Sequence, residues 1–198
     1  MLKELIKKNR TYRRFYENVK ISDKELISLI DLARISSSPR NQQALKFYFS
    51  NSEQENEQIF STLSWAGALP NWAAPKKNER PSAYILVLGD NTIIKKGAKS
   101  YHEVASGIAA QSITLGATEK EFGACIIAAI KRKTLRELLD LPNYLQILLV
   151  IAIGKPKEKV ILTEMPKNND YNYWRDENKN HYVPKRKLEE IVVNKIKT

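Results

Sequence analysis

The sequence contains few of the residues that form disulfides, metal sites and catalytic dyads. Among its 198 residues are one cysteine, Cys125, and two histidines, His102 and His181. A single cysteine cannot form an internal disulfide, which is typical of a reducing compartment, so we expect a cytoplasmic protein. The two histidines lie far apart, and neither has a second ligand at helical spacing. We therefore expect no metal site.

Several familiar sequence patterns are also missing. The chain has no apolar run of about 18 residues, so we expect no transmembrane helix and no membrane partner. It contains no Gly-x-Gly-x-x-Gly, no P-loop and no Gly-x-Ser-x-Gly motif. Few candidates remain for acid–base or nucleophilic catalysis. A redox enzyme needs none of them, because its cofactor carries the chemistry while the protein supplies binding and orientation.

Acidic residues are outnumbered by basic ones, 22 to 33, which gives a formal net charge of +11. Such a charge is compatible with a nucleic-acid partner. The lysines, however, are spread along the chain among Glu and Asp residues, and no recognised nucleic-acid-binding motif is present. A non-enzymatic basic module that binds nucleic acid therefore remains the competing class, but we expect no nucleic-acid partner.

Helical and strand patterns alternate along the chain. The capping-box sequences 22–25 and 134–137 predict two helix starts. A third helix, from Val104 to about Glu121, is predicted to bury a face with Val104, Ile108, Gln111 and Leu115. Short apolar or aromatic runs predict strands, namely 46–50, 83–88, 123–130 and 147–153. This order predicts one domain, 1–198, of the α+β or α/β class with a sheet flanked by helices.

Two stretches carry most of the candidate binding chemistry. Residues 10–14 hold three arginines, and residues 36–43 form a loop rich in Ser, Asn and Gln. Together they suit a ligand that combines a polar heteroaromatic ring with a phosphate, as FMN does. A solvated helix end and a solvated turn are the alternative interpretation, which spacing alone leaves open.

Residues 64–81 predict a long irregular segment that contains Trp65 and Trp72. Such a segment in a small domain is often a functional lid. A loop whose tryptophans pack into the core is the alternative. Residues 163–198 are predicted to form a polar C-terminal extension.

The chain resembles the nitroreductase family of FMN-dependent oxidoreductases over nearly its whole length. Residues 9–15, Asn-Arg-Thr-Tyr-Arg-Arg-Phe, resemble the family's Arg-Arg-Ser-x-Arg-x-Phe, and residues 37–43 resemble its Pro-Ser-x-x-Asn-x-Gln loop. Further similar segments follow in family order, namely 107–112, 123–128, 141–142, 151–156 and 181–186.

The resemblance implies an obligate homodimer with a mainly antiparallel sheet of four to five strands and FMN at the interface. It also implies a ping-pong reaction, in which NADH or NADPH delivers hydride to flavin N5 and a small-molecule acceptor, such as a nitroaromatic or quinone, takes the electrons. A flavin-dependent dehydrogenase or dehalogenase of the same superfamily is the enzymatic alternative. No residue is expected to be catalytic itself, because the flavin carries the chemistry.

The resemblance also assigns roles to residues. Arg10 and Thr11 would hold the FMN phosphate, and Arg13 would approach flavin N1 and O2. The loop from the partner subunit would line the flavin, with Arg40 reaching the phosphate or the flavin edge. The remaining expected contacts are Ser38, Pro39, Asn41 and Gln43 in the loop, the backbone of Ile127 and Ala128 near N5, Lys185 and Arg186 at the phosphate, and Trp65 and Trp72 on the substrate.

Overall fold

The structure is a computed structural model that describes residues 1–67, 69, 72, 74–93 and 100–193. The helices in these ranges are α1 (Leu2–Lys8), α2 (Asp23–Ile35), α3 (Glu53–Ser61), α4 (Ser100–Glu119), α5 (Arg132–Leu138) and α6 (Leu188–Ile191). The strands are β1 (Phe15–Tyr16), β2 (Leu45–Ser50), β3 (Ala83–Asp90), β4 (Gly123–Ile127), β5 (Leu145–Pro156), β6 (Val160–Glu164), β7 (Trp174–Arg175) and β8 (His181–Lys185). Of the described helices, none has the length and apolar character needed to cross a membrane.

Within the described residues, five strands form the main sheet, and every pairing in it is antiparallel. Its order is β1-β5-β3-β2, and β4 also pairs with the long strand β5. Tyr84 of β3 and Cys125 of β4 both pair with Ala152 of β5. The mainly antiparallel sheet and the α+β class predicted above are confirmed.

The central strand β3 is buried along its whole length and divides the core in two. Ala83, Ile85 and Val87 face a cluster that contains residues of α2 and α4. The alternate residue Tyr84, with Leu86, faces a second cluster that includes residues of α3 and α5. This alternation follows the two-residue period of a strand, and it explains why the run at 83–88 is apolar throughout.

The helix starts illustrate what local sequence does and does not determine. Ser22 forms both halves of the expected capping box with Glu25 at the start of α2. The box predicted at Thr134 is wrong, because α5 already begins at Arg132 and its N-cap, Lys131, makes no side-chain cap.

The predicted orientation of α4 is also wrong. Val104 is 53% exposed, while Ala109 and Ile113 are buried. Small residues allow this helix to approach α2 closely, so its alanine face turns inward instead. Similarly, β4 ends at Ile127 rather than at Ile130.

Residues beyond β5 form a second, three-stranded sheet among the described residues, where only a polar extension was expected. Strand β6 pairs in parallel with β8, and β7 pairs antiparallel with β8. The parallel pair is possible because the chain between β6 and β8 is long enough to make the crossover. This second sheet brings the C-terminal residues beside the N-terminal arginines.

Candidate cofactor-binding site

Both terminal regions of the chain line one cavity of about 230 Å³. Arg10 and Thr11 follow Asn9, the residue after α1, and Lys185 is the last residue of β8. Thr11 is held in place by a parallel bridge to Ala124 of β4. The rest of the wall consists of Asn9, Gln111, Thr114, Ala124, Ile126 and Val183. We call this space the arginine cavity.

The guanidinium of Arg10 has a hydrogen-bond donor that no described residue accepts. Its Nη2 donates to the carbonyl of Ile6 at 2.7 Å, whereas its buried Nε has no partner among the described residues. Burial lowers the pKa of Arg10, but arginine keeps its charge in proteins. Together with the Thr11 hydroxyl and the Lys185 ammonium, the cavity offers two cations and several donors. This donor set fits a phosphate group.

Sequence reasoning missed part of this cavity. Gln111 and Thr114 are three residues apart on α4 and line the same wall. Asn9 Nδ2 donates to Thr114 Oγ1 at 3.0 Å, which fixes the segment that carries Arg10 against the helix. The spacing of Gln111 and Thr114 was a visible signal, but it could not be attributed to this site without knowing which helix face points there.

Arg13 is not part of the arginine cavity in this structure. Its guanidinium is buried, with Nη1 3.2 Å from His181 Nε2 and the charge 4.5 Å from the centre of the Tyr173 ring. The backbone N–H of Arg13 donates to the carboxylate of Glu158. Arg13 therefore contacts the second sheet rather than the space next to Arg10.

Charged residues surround this contact. Arg14 donates to Glu79 through Nη2 at 2.6 Å, and this hydrogen bond lowers the pKa of Glu79 to about 2. Burial, and then the charges of Arg13 and Arg175, lower the pKa of His181 to about 4. Glu79 and Glu158, the acidic partners of these arginines, belong to no local sequence motif, so the sequence did not predict the contacts.

The loop 36–43 has an unusual backbone. Arg40, Asn41 and Gln43 have φ values of 52°, 52° and 50°, in the left-handed region that residues other than glycine rarely adopt. Such residues cluster at binding sites, where surrounding structure must hold them. Ser36 Oγ lies 2.7 Å from Ser112 Oγ of α4, and Arg40 lies over the Tyr101 ring at 5.6 Å, which together anchor the loop to α4.

This loop lines a different cavity, of about 420 Å³, next to α2, β2 and α4. Ser38 and Gln43 lie on its wall, as do the apolar side chains of Ile27 and Phe47. The expected residues Pro39, Arg40 and Asn41 do not line it. The two cavities share no lining residue, so one chain alone does not bring the loop to Arg10.

The other expected flavin contacts are scattered. Ile127 is buried, while Ala128 is exposed and its carbonyl accepts from Arg132 Nη2 at 3.1 Å. Arg186 donates to Asn169 at 3.2 Å and lies 3.7 Å from Glu190. Neither Ala128 nor Arg186 lines the arginine cavity.

Both tryptophans pack against the core, Trp65 buried and Trp72 half-buried. Trp65 is only 6% exposed, and its ring centroid lies 5.8 Å from that of Phe60. Trp72 lies under the guanidinium of Arg175, 4.4 Å from the ring centroid, and contacts the second core cluster. Both positions agree with the core-packing alternative for residues 64–81. Positions 68, 70, 71 and 73 of the expected lid, and 194–198 of the expected extension, lie outside the described residues.

The antiparallel sheet, the helices packed on it and the basic cavity at its edge define an α+β protein with a candidate site for a phosphate-bearing ligand. The model of the nitroreductase family matches residues 6–155. The chain belongs to the nitroreductase family. No curated protein matches the chain.

Solved structures show the same fold at low sequence identity. A nitroreductase family protein from Streptococcus pneumoniae is 15% identical, with a TM-score of 0.73, and the match covers 98% of this chain and 100% of that one. A structure in complex with FMN from Exiguobacterium sibiricum is 19% identical, with a TM-score of 0.67 and coverage of 79% and 89%. An FMN-dependent nitroreductase from Clostridium difficile is 18% identical, with a TM-score of 0.63 and coverage of 78% and 87%.

Proposed function

We propose that the protein is an FMN-dependent NAD(P)H oxidoreductase that reduces a nitroaromatic, a quinone or a similar small acceptor by a ping-pong mechanism. When bound, FMN supplies the hydride-transfer chemistry at its N5 atom. The observation that carries the proposal is the half-buried Arg10, whose Nε is unpaired among the described residues and which lines the same cavity as Thr11 and Lys185. Family membership and the FMN complex of the Exiguobacterium sibiricum relative support it.

The chain's own residues would bind and orient the cofactor. Arg10 and Lys185 carry the two positive charges that balance a phosphate, and the Thr11 hydroxyl adds a donor. Asn9 keeps this segment on α4 through its hydrogen bond to Thr114. Arg10, the residue after Asn9, is thus positioned before a ligand arrives, which would reduce the conformational entropy lost on binding.

We also propose that the active form is a cytoplasmic homodimer. The loop 36–43 and the arginine cavity do not meet within one chain, so the loop of one subunit would close the cavity of the other. Apolar side chains near the loop are unusually exposed, with Ile27 at 55%, Ile35 at 64% and Val104 at 53%. A second copy of the chain would cover them.

The test begins with the absorption spectrum of the purified protein. We expect a flavin band, or uptake of added FMN with quenching of its fluorescence. Consumption of NADH and NADPH is then measured against nitroaromatic and quinone acceptors, and light scattering gives the subunit number. A colourless protein that ignores added FMN would overturn the proposal, and loss of halide or desaturation of a substrate would instead favour the dehalogenase or dehydrogenase alternative.

A further inference from the structure

A polar cavity of about 500 Å³ lies between the first half of α3 and the start of β3. It shares no lining residue with the arginine cavity or with the cavity beside the loop 36–43. Its wall consists of Glu17, Asn18, Lys20, Glu53, Asn56, Glu57, Lys77, Asn78, Arg80, Pro81, Ser82 and Tyr84. We call this space the polar cavity. Neither the family resemblance nor the proposed function uses it.

Four buried polar atoms on this wall have no hydrogen-bond partner in the part of the chain that the structure describes. They are Asn56 Oδ1, Arg80 Nε, Ser82 Oγ and the Tyr84 hydroxyl. A buried polar group without a partner is costly, and native proteins contain few of them. Four residues that carry such atoms line this one cavity, which makes it a candidate site for a polar ligand.

Tyr84 is the strongest of these four indications, because the residue is completely buried. Tyr84 lines the polar cavity together with the charged residues Arg80, Glu17 and Glu57. Burial raises the pKa of Tyr84, so the group stays protonated and can donate a hydrogen bond.

The unpaired atoms define the ligand's complementary groups. Arg80 Nη1 donates to Glu57 at 2.5 Å, whereas its Nε–H has no partner among the described residues, and Ser82 and Tyr84, which carry the unpaired hydroxyls, line the same cavity. Asn56 Nδ2 donates to the carbonyl of Ser82 at 2.9 Å, so its Oδ1 remains as an acceptor. The wall therefore offers three donors and one acceptor, which is the pattern that a carboxylate beside an ammonium group requires.

The charged residues on the wall also favour a molecule that carries both a carboxylate and an ammonium group. Three carboxylates, of Glu17, Glu53 and Glu57, balance three cations, of Lys20, Lys77 and Arg80. This cavity is formally neutral in a chain of net charge +11. A neutral molecule with separated charges suits it better than a nucleotide or an inorganic anion, which the arginine cavity would prefer.

We propose that the polar cavity binds a free amino acid with a polar side chain. The carboxylate accepts hydrogen bonds from Arg80 Nε, Ser82 Oγ and the Tyr84 hydroxyl. The ammonium group donates to Asn56 Oδ1 and to the carboxylates at the rim. The cavity volume lies within the range of small-molecule sites, about 300–1,000 Å³.

The proposal is tested by calorimetric titration of the full-length protein with L-glutamine as the probe, and with glycerol and inorganic phosphate as comparators. We expect saturable binding of one L-glutamine per chain, and weaker or no binding of the comparators. Tyr84→Phe and Ser82→Ala each remove one donor, and each should raise Kd about tenfold. The binding is measured with and without FMN, because it does not depend on the flavin proposal.

Ser50→Ala is the matched control. Ser50 is also a buried serine with an unpaired Oγ among the described residues, but it does not line the polar cavity, so its variant should keep the wild-type Kd. The proposal is overturned if wild-type protein binds no L-glutamine at millimolar concentration, or if glycerol or phosphate binds as tightly. It is also overturned if Ser82→Ala binds as wild type does. This last comparison stands even if Tyr84→Phe fails to fold.

Discussion

The Nη2 atom of Arg175 lies 2.7 Å from Oε2 of Glu158, and the Glu158 side chain is completely buried. The other carboxylate oxygen accepts from the backbone N–H groups of Arg13 and Arg14. One carboxylate thus joins β7 of the second sheet to the segment that leads into β1. Glu158 therefore connects the segment shortly after Thr11 to the second sheet, which also contains Lys185.

Replacing Glu158 with Gln should therefore destabilise the protein strongly. The buried guanidinium of Arg175 would lose its counter-charge close to two further arginines, which costs about 3–5 kcal/mol in the free energy of unfolding. Glu164→Gln is the control, because the Glu164–Lys187 pair is exposed and should contribute less than about 1 kcal/mol. Urea unfolding measures both variants, and similar losses in the two would contradict this role of Glu158.

The free energy of unfolding should decrease as the pH falls, because His181 must take up a proton. Its pKa is lowered from 6.5 to about 4 in the folded protein, so the folded state favours the neutral ring. The stabilisation is complete above pH 6.5 and is lost as the pH falls toward 4, because the unfolded chain takes up the proton first. Between pH 7 and pH 5 we expect a loss of about 2 kcal/mol.

The comparison for this pH effect is His181→Gln, measured by urea unfolding at each pH. Removing the titrating ring should flatten the dependence between pH 5 and 6.5, even if overall stability changes. Glu79, with a pKa of about 2, loses its stabilisation mainly as the pH falls through its ordinary value of 4.5, which lies below this window. An unchanged slope in His181→Gln would assign the effect to another group.

Arg10→Ala should weaken FMN binding while the fold persists. Loss of a charge-assisted contact to phosphate corresponds to about 1.5–3 kcal/mol, or roughly a 10- to 150-fold rise in Kd. Lys187→Ala removes the same charge close to Lys185 in sequence, but Lys187 does not line the arginine cavity. Fluorescence titration with FMN should therefore separate the two variants. Equal affinities would remove the phosphate role of Arg10.

Two glycines should respond to alanine in opposite directions. A Cβ at Gly123 would lie 2.6 Å from the Tyr12 ring and 2.7 Å from Pro156 Cγ, so Gly123→Ala should destabilise by about 1–3 kcal/mol. A Cβ at Gly107 in the middle of α4 meets no described atom within 4 Å. Gly107→Ala should instead stabilise by up to about 1 kcal/mol, since alanine favours the helix. Thermal unfolding of the two variants measures both signs.

Trp72→Ala separates packing from substrate binding. Trp72 is covered by Arg175 and contacts the core, so we expect a loss of stability of about 2 kcal/mol. If this packing is its whole role, KM for the acceptor stays unchanged once the variant is assayed well below its melting temperature. A raised KM with unchanged NADH or NADPH dependence would instead support the lid function expected for residues 64–81.

The sequence predicted the main sheet because the strands β3 and β5 bury both faces and therefore read as unbroken apolar runs. It also predicted α2, whose start at Ser22 is fixed by a local capping box. The second sheet could not be predicted in this way. Its strands are short and partly exposed, and they are held by contacts over long sequence separations, such as that between Arg175 and Glu158.

The candidate site likewise contains residues that a local motif predicts and residues whose position depends on distant contacts. Arg10 and Thr11 could be identified from a short motif, and the structure brings them together with Lys185. The place of Arg13 could not be predicted, because it depends on the distant residues His181 and Tyr173. Likewise, Trp65 and Trp72 carry no local signal that distinguishes a core position from a lid.

The composition of the arginine cavity determines when it can form during synthesis. Thr11 is synthesised well before Lys185, and β8 must then pair with β6. A nascent chain that ends before Lys185 therefore lacks one wall of the arginine cavity. Under the proposed function, tight binding of a phosphate at this cavity requires that β8 has been made and has paired.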